Sequence, residues 1–163
     1  MYKLTAERAR NLFSYDLETG ELRWKVNKGI AKKGEIAGTM RPDGYRQSSA
    51  DGRVYLTHRL IWLFVTGKFP INEIDHVNGD KTDNRFENLR DVNRVINTEN
   101  QRNSVTGSKS GKLGVHWNSR SNKFIARIKV NKKSFHLGTY TSPEEAHAAY
   151  LTAKRRLHAG CTI

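Results

Sequence analysis

Residues 74–102 read IDHVNGDKTDNRFENLRDVNRVINTENQR. Asp75 and His76 stand side by side near its start, and the pair Asn78-Gly79 follows them. Asn-Gly is a strong signal for a tight reversal of the chain, because both residues accept positive φ. We therefore expect Asp75 and His76 to end one strand and residues 86–90 to begin the returning strand.

A helix is predicted to follow this hairpin. Asn93 can cap a helix that begins near Arg94 and carries Asn97. Asn88 lies twelve residues after His76 and nine residues before Asn97. A strand end, a loop and a helix would then bring one carboxylate, one imidazole and two amides together.

These side chains suit metal-assisted attack on a phosphodiester. Asp75 offers a hard anionic oxygen and Asn97 a neutral amide oxygen. Two such ligands, with phosphate and water, suit Mg²⁺, which keeps much of its hydration shell. His76 titrates near neutrality and can take a proton from water, while Asn88 either holds the imidazole or braces the loop. The alternative is a polar hairpin whose Asp and Asn residues only form turns.

The segment resembles the HNH endonucleases, in particular the homing-endonuclease branch. The motif of that branch reads Asp-His, a Gly-containing loop, Asn-Leu-Arg and then Asn-x-x-Asn. The residues that carry the resemblance are Asp75-His76, Asn88-Leu89-Arg90, Asn97-Thr98-Glu99-Asn100 and, upstream, His58-Arg59-Leu60-Ile61-Trp62. The resemblance covers about residues 15–103 and implies a ββα-metal (His-Me finger) nuclease site.

The resemblance also implies roles for the residues. Asp75 and Asn97 would bind one divalent ion, Mg²⁺ or Mn²⁺, His76 would be the general base, and Asn88 would orient it. The third motif position is Asn97 rather than a histidine, so we expect the site to use oxygen ligands. The resemblance further implies a phage or mobile-element enzyme that leaves a 3′-hydroxyl and a 5′-phosphate.

The charge of the chain points to an anionic partner, most often nucleic acid, because the formal net charge is +13. Residues 1–103 hold 18 Lys and Arg against 14 Asp and Glu, a net charge of +4. Residues 104–163 hold 11 against 2, a net charge of +9. The stronger electrostatic surface is therefore expected outside the motif.

Other sequence features exclude several classes of protein. The single cysteine, Cys161, excludes a disulfide within the chain and a Cys-type zinc site. The first residues lack the apolar run of a signal peptide, and the longest apolar stretch, Leu60–Val65, is too short to cross a membrane. We expect a soluble, intracellular, cytoplasmic protein.

The region before the motif predicts a short helix, a small β-meander and a second helix. Turn signals separate its short strands at Thr19-Gly20, Pro42-Asp43-Gly44 and Asp51-Gly52. The second helix is predicted over residues 57–66, with Thr57 as a possible N-cap and Gly67 as its stop. His58 either lies near the active site or is structural. Its spacing does not tie it to Asp75, which favours the structural role.

The last third predicts a second domain. Residues 104–112 are rich in Gly, Ser and Lys and predict a flexible linker between a nuclease domain at 1–103 and a domain at 113–163. Period-two alternation predicts three short antiparallel strands with turns near 119–122 and 131–133. Ser142 as N-cap and Pro143 at the first helical position predict a helix that covers one face of this sheet.

The other face of the predicted sheet is polar and basic. A sheet of this kind fits the DNA major groove, and the alternative is a merely solvated strand face. The candidate DNA-binding residues are His116, Asn118, Arg120, Lys123, Arg127, Lys129 and His136.

This region resembles the AP2/ERF DNA-binding domain over about residues 113–159. The residues that carry the resemblance are Gly114-Val115, residues 123–129, residues 136–140 and residues 142–150. The resemblance implies an AP2-like sheet and DNA binding. His116 and Asn118 stand where that family commonly has arginine, and His136 where it commonly has tryptophan, so base preference is not carried over.

The sequence thus predicts an α+β protein and a homing-type, metal-dependent endonuclease that acts on double-stranded DNA and is targeted by its C-terminal domain. One active site per chain favours nicking by a monomer unless DNA induces a dimer. The alternative is a non-catalytic, sequence-specific DNA-binding regulator. An RNA-binding role is less favoured, because the sheet lacks the paired aromatic residues that stack on single-stranded bases.

Overall fold

The computed structural model describes residues 4–104 and 107–163, and its helices and short antiparallel strands confirm the mixed α+β class. The chain divides into two compact units, the first ending at Arg94 and the second beginning at Val95. The domain limits predicted at 103 and 113 stay predictions. Residues 1–3 of the predicted first domain and residues 105 and 106 of the predicted linker lie outside the described residues.

The first unit begins with helix α1 and a two-stranded hairpin. Thr5 caps α1 (Ala6–Leu12), its hydroxyl accepting a hydrogen bond from the Arg8 amide at 3.1 Å. Strands β1 (Phe13–Tyr15) and β2 (Leu22–Trp24) pair in antiparallel fashion.

A three-stranded antiparallel sheet follows, in the order β3-β4-β5. Its strands are β3 (Thr39–Met40), β4 (Arg46–Ala50) and β5 (Arg53–Leu56). The Asp51-Gly52 turn between β4 and β5 has φ of 47° and 75°, as expected for a tight hairpin. The short strands of the predicted meander are present, but they form two separate sheets, the β1-β2 hairpin and this one.

Helix α2 spans Thr57–Thr66 and ends, as predicted, at Gly67, which adopts φ 81°. The predicted N-cap was wrong, because Leu56 occupies the N-cap position and its side chain has no hydrogen-bonding group. Strand β5 runs directly into the helix, so Thr57 is already helical. Its buried hydroxyl has no hydrogen-bond partner among the described residues.

The core of the first unit lies between α2 and the strands around it. Leu60 and Ile61 are fully buried, and their cluster includes Phe13, Ile74 and Leu89. Each such side chain contributes about 1.5–3 kcal/mol through burial of apolar surface. Because Ile74 and Leu89 flank the catalytic candidates in sequence, this core positions the motif hairpin.

That hairpin consists of β6 (Glu73–His76), a 3₁₀ turn (Phe86–Asn88) and β7 (Leu89–Val92). As predicted, Asp75 and His76 end the first strand, and they pair with Arg90 and Leu89 of the returning strand. The ring of Phe86 packs against Trp62 of α2, with the centroids 5.3 Å apart.

Helix α3 (Arg94–Glu99) begins where predicted, and within the second unit its end contacts the C-terminal residues. The Glu99 carboxylate accepts a hydrogen bond from the Gly160 amide at 2.9 Å. A Cβ at Gly160 would lie 2.1 Å from the Ile96 carbonyl oxygen, so only glycine allows this approach.

The second unit also contains a three-stranded antiparallel sheet in the order β10-β9-β8 and one long helix. The elements are β8 (Val115–Asn118), β9 (Lys123–Val130), β10 (Lys133–Tyr140) and α4 (Pro143–Leu157). Ser142 caps α4 as predicted, and Ala146 of the helix packs with Val115 and Ala126 of the sheet. Within the described parts of the chain, no helix is long and apolar enough to span a membrane.

Candidate functional site

The carboxylate of Asp75 is buried and paired with a guanidinium. Its Oδ2 accepts a hydrogen bond from Arg90 Nε at 2.8 Å, and Arg90 Nη2 forms an ion pair with the same oxygen at 2.7 Å. The strand register makes this pairing possible, because the two residues face each other across β6 and β7. Sequence reasoning placed Arg90 in the motif without giving it a role.

His76 is buried beside Asp75 and meets an asparagine of the loop that links β6 to the 3₁₀ turn. Its Nε2 lies 3.2 Å from Oδ1 of Asn84, which is also buried. Burial lowers the pKa of His76, although the hydrogen bond to Asn84 and the nearby aspartates act in the opposite direction. The imidazole is therefore neutral at pH 7 and able to accept a proton.

His58 and Tyr45 surround the His76 ring. The His58 ring lies edge-on to His76 with the centroids 5.2 Å apart, and the Tyr45 ring lies 5.9 Å away. Burial, followed by the charges of His76 and Arg59, lowers the pKa of His58 to about 3, so His58 is neutral as well. No spacing rule links residue 58 to residue 76, because α2 and β6 are brought together only by tertiary packing.

Asn88 contacts the loop that links β6 to the 3₁₀ turn. Its Oδ1 accepts a hydrogen bond from the Asn78 amide at 2.9 Å, while its Nδ2 donates to Asn78 Oδ1 at 3.0 Å and to the Asp83 carbonyl at 2.8 Å. These contacts brace the loop, which is one of the two roles considered for Asn88. The role implied by the resemblance, orientation of His76, stays a prediction.

Asp75, His76 and Asn88 lie together in the first unit, whereas Asn97 belongs to α3 in the second unit. None of the six residues of α3 is buried. The predicted pairing of Asp75 with Asn97 around one metal ion stays a prediction.

The expected divalent ion can be compared with the side chains that could bind it. Across residues 4–104 and 107–163, no three His, Cys, Asp or Glu side chains are grouped so that they could hold a metal ion. The predicted site needs fewer protein ligands, because a hard divalent cation keeps several waters. Asp75 fits such an ion as an anionic oxygen donor, but the ion would share this carboxylate with Arg90.

The basic face of the second unit is formed by residues that face each other across its strands. Opposite partners in an antiparallel pair lie on the same side of the sheet. The pairs His116–Ile125, Asn118–Lys123, His136–Arg127 and Ser134–Lys129 therefore share one face. Six of the seven predicted DNA-binding residues lie on it, and Arg120 lies in the turn between β8 and β9.

We call this surface the open face, because α4 packs on the opposite side of the sheet. His116, Arg127 and Lys129 are exposed on it. Two of its polar side chains also have local partners: Asn118 Oδ1 accepts from the Arg120 amide at 3.0 Å, and His136 Nε2 lies 3.2 Å from the Thr139 hydroxyl. Ile125 lies on the same face and is not among the predicted DNA-binding residues.

Comparison with known proteins identifies the class of the motif region. Residues 55–99 match the family model described as HNH endonuclease. This match supports an HNH nuclease, a hydrolase that acts on DNA, and HNH nucleases generally use a divalent metal ion. The match ends before β8, so the resemblance to AP2/ERF domains stays a prediction. No curated protein and no solved structure matches the chain.

Proposed function

We propose that the protein is a metal-dependent, homing-type DNA endonuclease. In this proposal His76 is the general base, Asp75 and Asn97 hold one Mg²⁺ or Mn²⁺ ion, and the open face of the second unit binds double-stranded DNA. The observation that carries the proposal is the buried, neutral imidazole of His76 beside a buried carboxylate, within the segment that matches the HNH family.

In this proposal the reaction begins with proton transfer to the neutral imidazole of His76. An O–H bond of water breaks and its proton passes to His76, while the hydroxide oxygen forms a new bond to phosphorus. The P–O3′ bond then breaks, and O3′ takes up a proton from solvent. This sequence yields the 5′-phosphate and the 3′-hydroxyl that the resemblance implies. A general base of this kind contributes about 10²–10⁴-fold to the rate.

The divalent ion would supply positive charge against the developing phosphorane charge and the leaving oxygen. The residues of the chain supply the rest of the site. His58 and Tyr45 pack against the His76 ring and help to bury it, and this burial lowers the pKa of His76, so that the imidazole is unprotonated and can accept a proton. Asn88 holds the loop next to the base in one conformation.

The second unit provides the affinity for DNA in this proposal. Its residues 104–163 carry most of the net charge, and Arg127 and Lys129 project from the exposed side of β9. Arginine can pair with guanine edges in the major groove, whereas lysine mostly contacts phosphates. The proposal places the enzyme, of phage or mobile-element origin, in the cytoplasm of a host cell, where a monomer would nick DNA.

One observation favours the alternative, a non-catalytic sequence-specific DNA-binding regulator. Arg90 already neutralises Asp75, which is the arrangement expected if this carboxylate stabilises the fold rather than a metal ion.

A cleavage assay separates the two functions. DNA is first selected from a randomised library by binding to the protein in EDTA, and the selected sequence is placed in a supercoiled plasmid. We expect the protein with Mg²⁺ to nick this plasmid. We expect His76→Ala to lose about 10²–10⁴-fold in rate while it still binds. His158→Ala, which changes a histidine of the second unit, serves as the matched control. Binding without cleavage by the unaltered protein would establish the regulator instead.

A further inference from the structure

We propose that Asn84 is a positioning residue that sets the tautomer of His76. Its amide oxygen accepts the Nε2–H of the imidazole, so that Nδ1 is the atom that takes the proton from water. The inference rests on the proposed function for its catalytic consequence, whereas the tautomer itself can be measured without any cleavage.

The two atoms lie within hydrogen-bond distance and away from solvent. His76 Nε2 and Asn84 Oδ1 are 3.2 Å apart, and the two residues are 3% and 6% exposed. A buried polar atom that loses its partner costs the full desolvation of that atom, so the pair is expected to persist. Asn84 lies eight positions after His76, and the intervening loop brings its amide back to the imidazole.

The orientation of the Asn84 amide follows from its second contact. Its Nδ2 donates to the Thr82 carbonyl oxygen at 3.3 Å. If the amide were turned over, its oxygen would face the Thr82 carbonyl, and two acceptors would meet. Only the orientation with Oδ1 towards His76 satisfies both ends of the amide, and this oxygen requires a proton on Nε2.

The backbone of Asn84 is held by the N-terminal hairpin. Its carbonyl oxygen accepts a hydrogen bond from the Tyr15 hydroxyl at 2.9 Å. The turn between β1 and β2 packs closely against the same peptide group. A Cβ at Gly20 would lie 2.6 Å from the Asn84 carbonyl carbon and 2.4 Å from the Arg85 nitrogen, so only glycine allows this approach. The hairpin thus fixes the position from which Asn84 reaches the imidazole.

Asn84 and Asn88 have different roles in this loop: Asn88 braces the loop, and Asn84 holds the imidazole. Both ends of the Asn88 amide bond to Asn78 and Asp83, which braces the loop. The Asn84 side chain, by contrast, meets the His76 ring. In this proposal the task of holding the imidazole therefore passes from Asn88 to Asn84.

The contact acts mainly on the chemical step. When His76 takes a proton, the hydrogen bond to Asn84 becomes charge-assisted and strengthens. An interaction that strengthens during the reaction raises kcat rather than lowering KM. A hydrogen-bond partner that orients a functional imidazole typically contributes about 10–100-fold to activity, so we expect a kcat loss of about 10–100-fold when Asn84 is replaced.

The test is the ¹⁵N NMR spectrum of the full chain labelled at histidine, with the His76 signals assigned by their loss in His76→Gln. At neutral pH we expect a protonated Nε2 and an unprotonated Nδ1. We expect Asn84→Leu, of similar size, to convert His76 to a mixture of tautomers. Asn78→Ala disturbs the same loop without touching the imidazole and should keep the Nε2–H tautomer.

A proton on Nδ1 of the unaltered protein would overturn the proposal even if Asn84→Leu fails to fold. An unchanged tautomer in a folded Asn84→Leu variant would overturn it as well. The spectrum is independent of cleavage. A protein with the expected tautomer that binds the selected DNA but does not cut it would refute the proposed function and leave the assignment of Asn84 standing.

Discussion

Arg90 Nε donates a hydrogen bond to Oδ2 of Asp75 at 2.8 Å, and its Nη2 lies 2.7 Å from the same oxygen, across a directly facing pair of β6 and β7. The Asp75 side chain is 7% exposed and that of Arg90 is 27% exposed. The carboxylate therefore relies on protein groups rather than on water for its stabilisation.

Removal of the guanidinium should destabilise the first unit strongly. Breaking a buried ion pair leaves an uncompensated charge, so Arg90→Ala should lower the free energy of unfolding by about 3 kcal/mol in urea titrations. Arg8→Ala is the matched control, because Arg8 pairs with Asp51 on the exposed surface. That change should cost much less than Arg90→Ala, because water solvates the remaining charge. Equal losses in the two variants would contradict the importance of burial at Asp75.

Asn88 should contribute to the free energy of unfolding as well as to the geometry of the candidate site. Asn88→Ala removes three hydrogen bonds and leaves the Asn78 amide without its acceptor, so we expect a loss of about 2–3 kcal/mol in unfolding free energy. Hydrogen exchange at the Asn78 amide should accelerate in parallel. Asn27→Ala, which removes one hydrogen bond to Lys33 in an exposed loop, should cost less than about 1 kcal/mol. Unchanged exchange at Asn78 would show that Asn88 does not brace the loop.

The free energy of unfolding of the first unit should decrease as the pH is lowered, because of His58. Its pKa is about 3 in the folded protein, lowered by burial from the ordinary value of 6.5. Above pH 6.5 the His58 side chain is neutral in both the folded and the unfolded protein. As the pH is lowered, His58 takes up a proton in the unfolded chain before it does so in the folded protein. Stability should therefore drop by about 1.4 kcal/mol per pH unit from this residue between pH 6.5 and about 3.

Urea titrations at several pH values measure this slope. His58→Gln should reduce the proton uptake on unfolding by about one. His116→Gln, which changes an exposed histidine of the open face, should leave the uptake unchanged. An identical slope in the unaltered protein and His58→Gln would show that His58 is not buried as a neutral group.

The open face should control the salt dependence of DNA binding. If Lys129 contacts a phosphate, Lys129→Ala should reduce the slope of log Kd against log salt by about 0.9. Arg156→Ala removes the same charge from the end of α4 and should change the slope much less. Fluorescence anisotropy between about 50 and 200 mM salt measures both slopes. Equal changes in the two variants would indicate that the general charge, rather than the open face, governs binding.

The sequence by itself determined the local structure. Alternation of apolar residues located β9, the αL residue Gly67 ended α2, and Ser142 began α4, because these signals depend on residues within about one helical turn or one strand pair. The adjacent Asp75 and His76 marked the catalytic candidates for the same reason. Thr57 failed as a cap, because a strand that continues directly into a helix shifts the cap position by one residue.

Only the tertiary structure decided which side chains meet. Arg90 reaches Asp75 because of the register of β6 and β7, and a shift of one residue would place the pair on opposite faces. His58 reaches His76 because α2 and β6 share a core. Asn84 reaches His76 because a hydroxyl 69 residues away, that of Tyr15, holds its backbone. Such contacts depend on the packing of distant elements, which no local pattern in the sequence specifies.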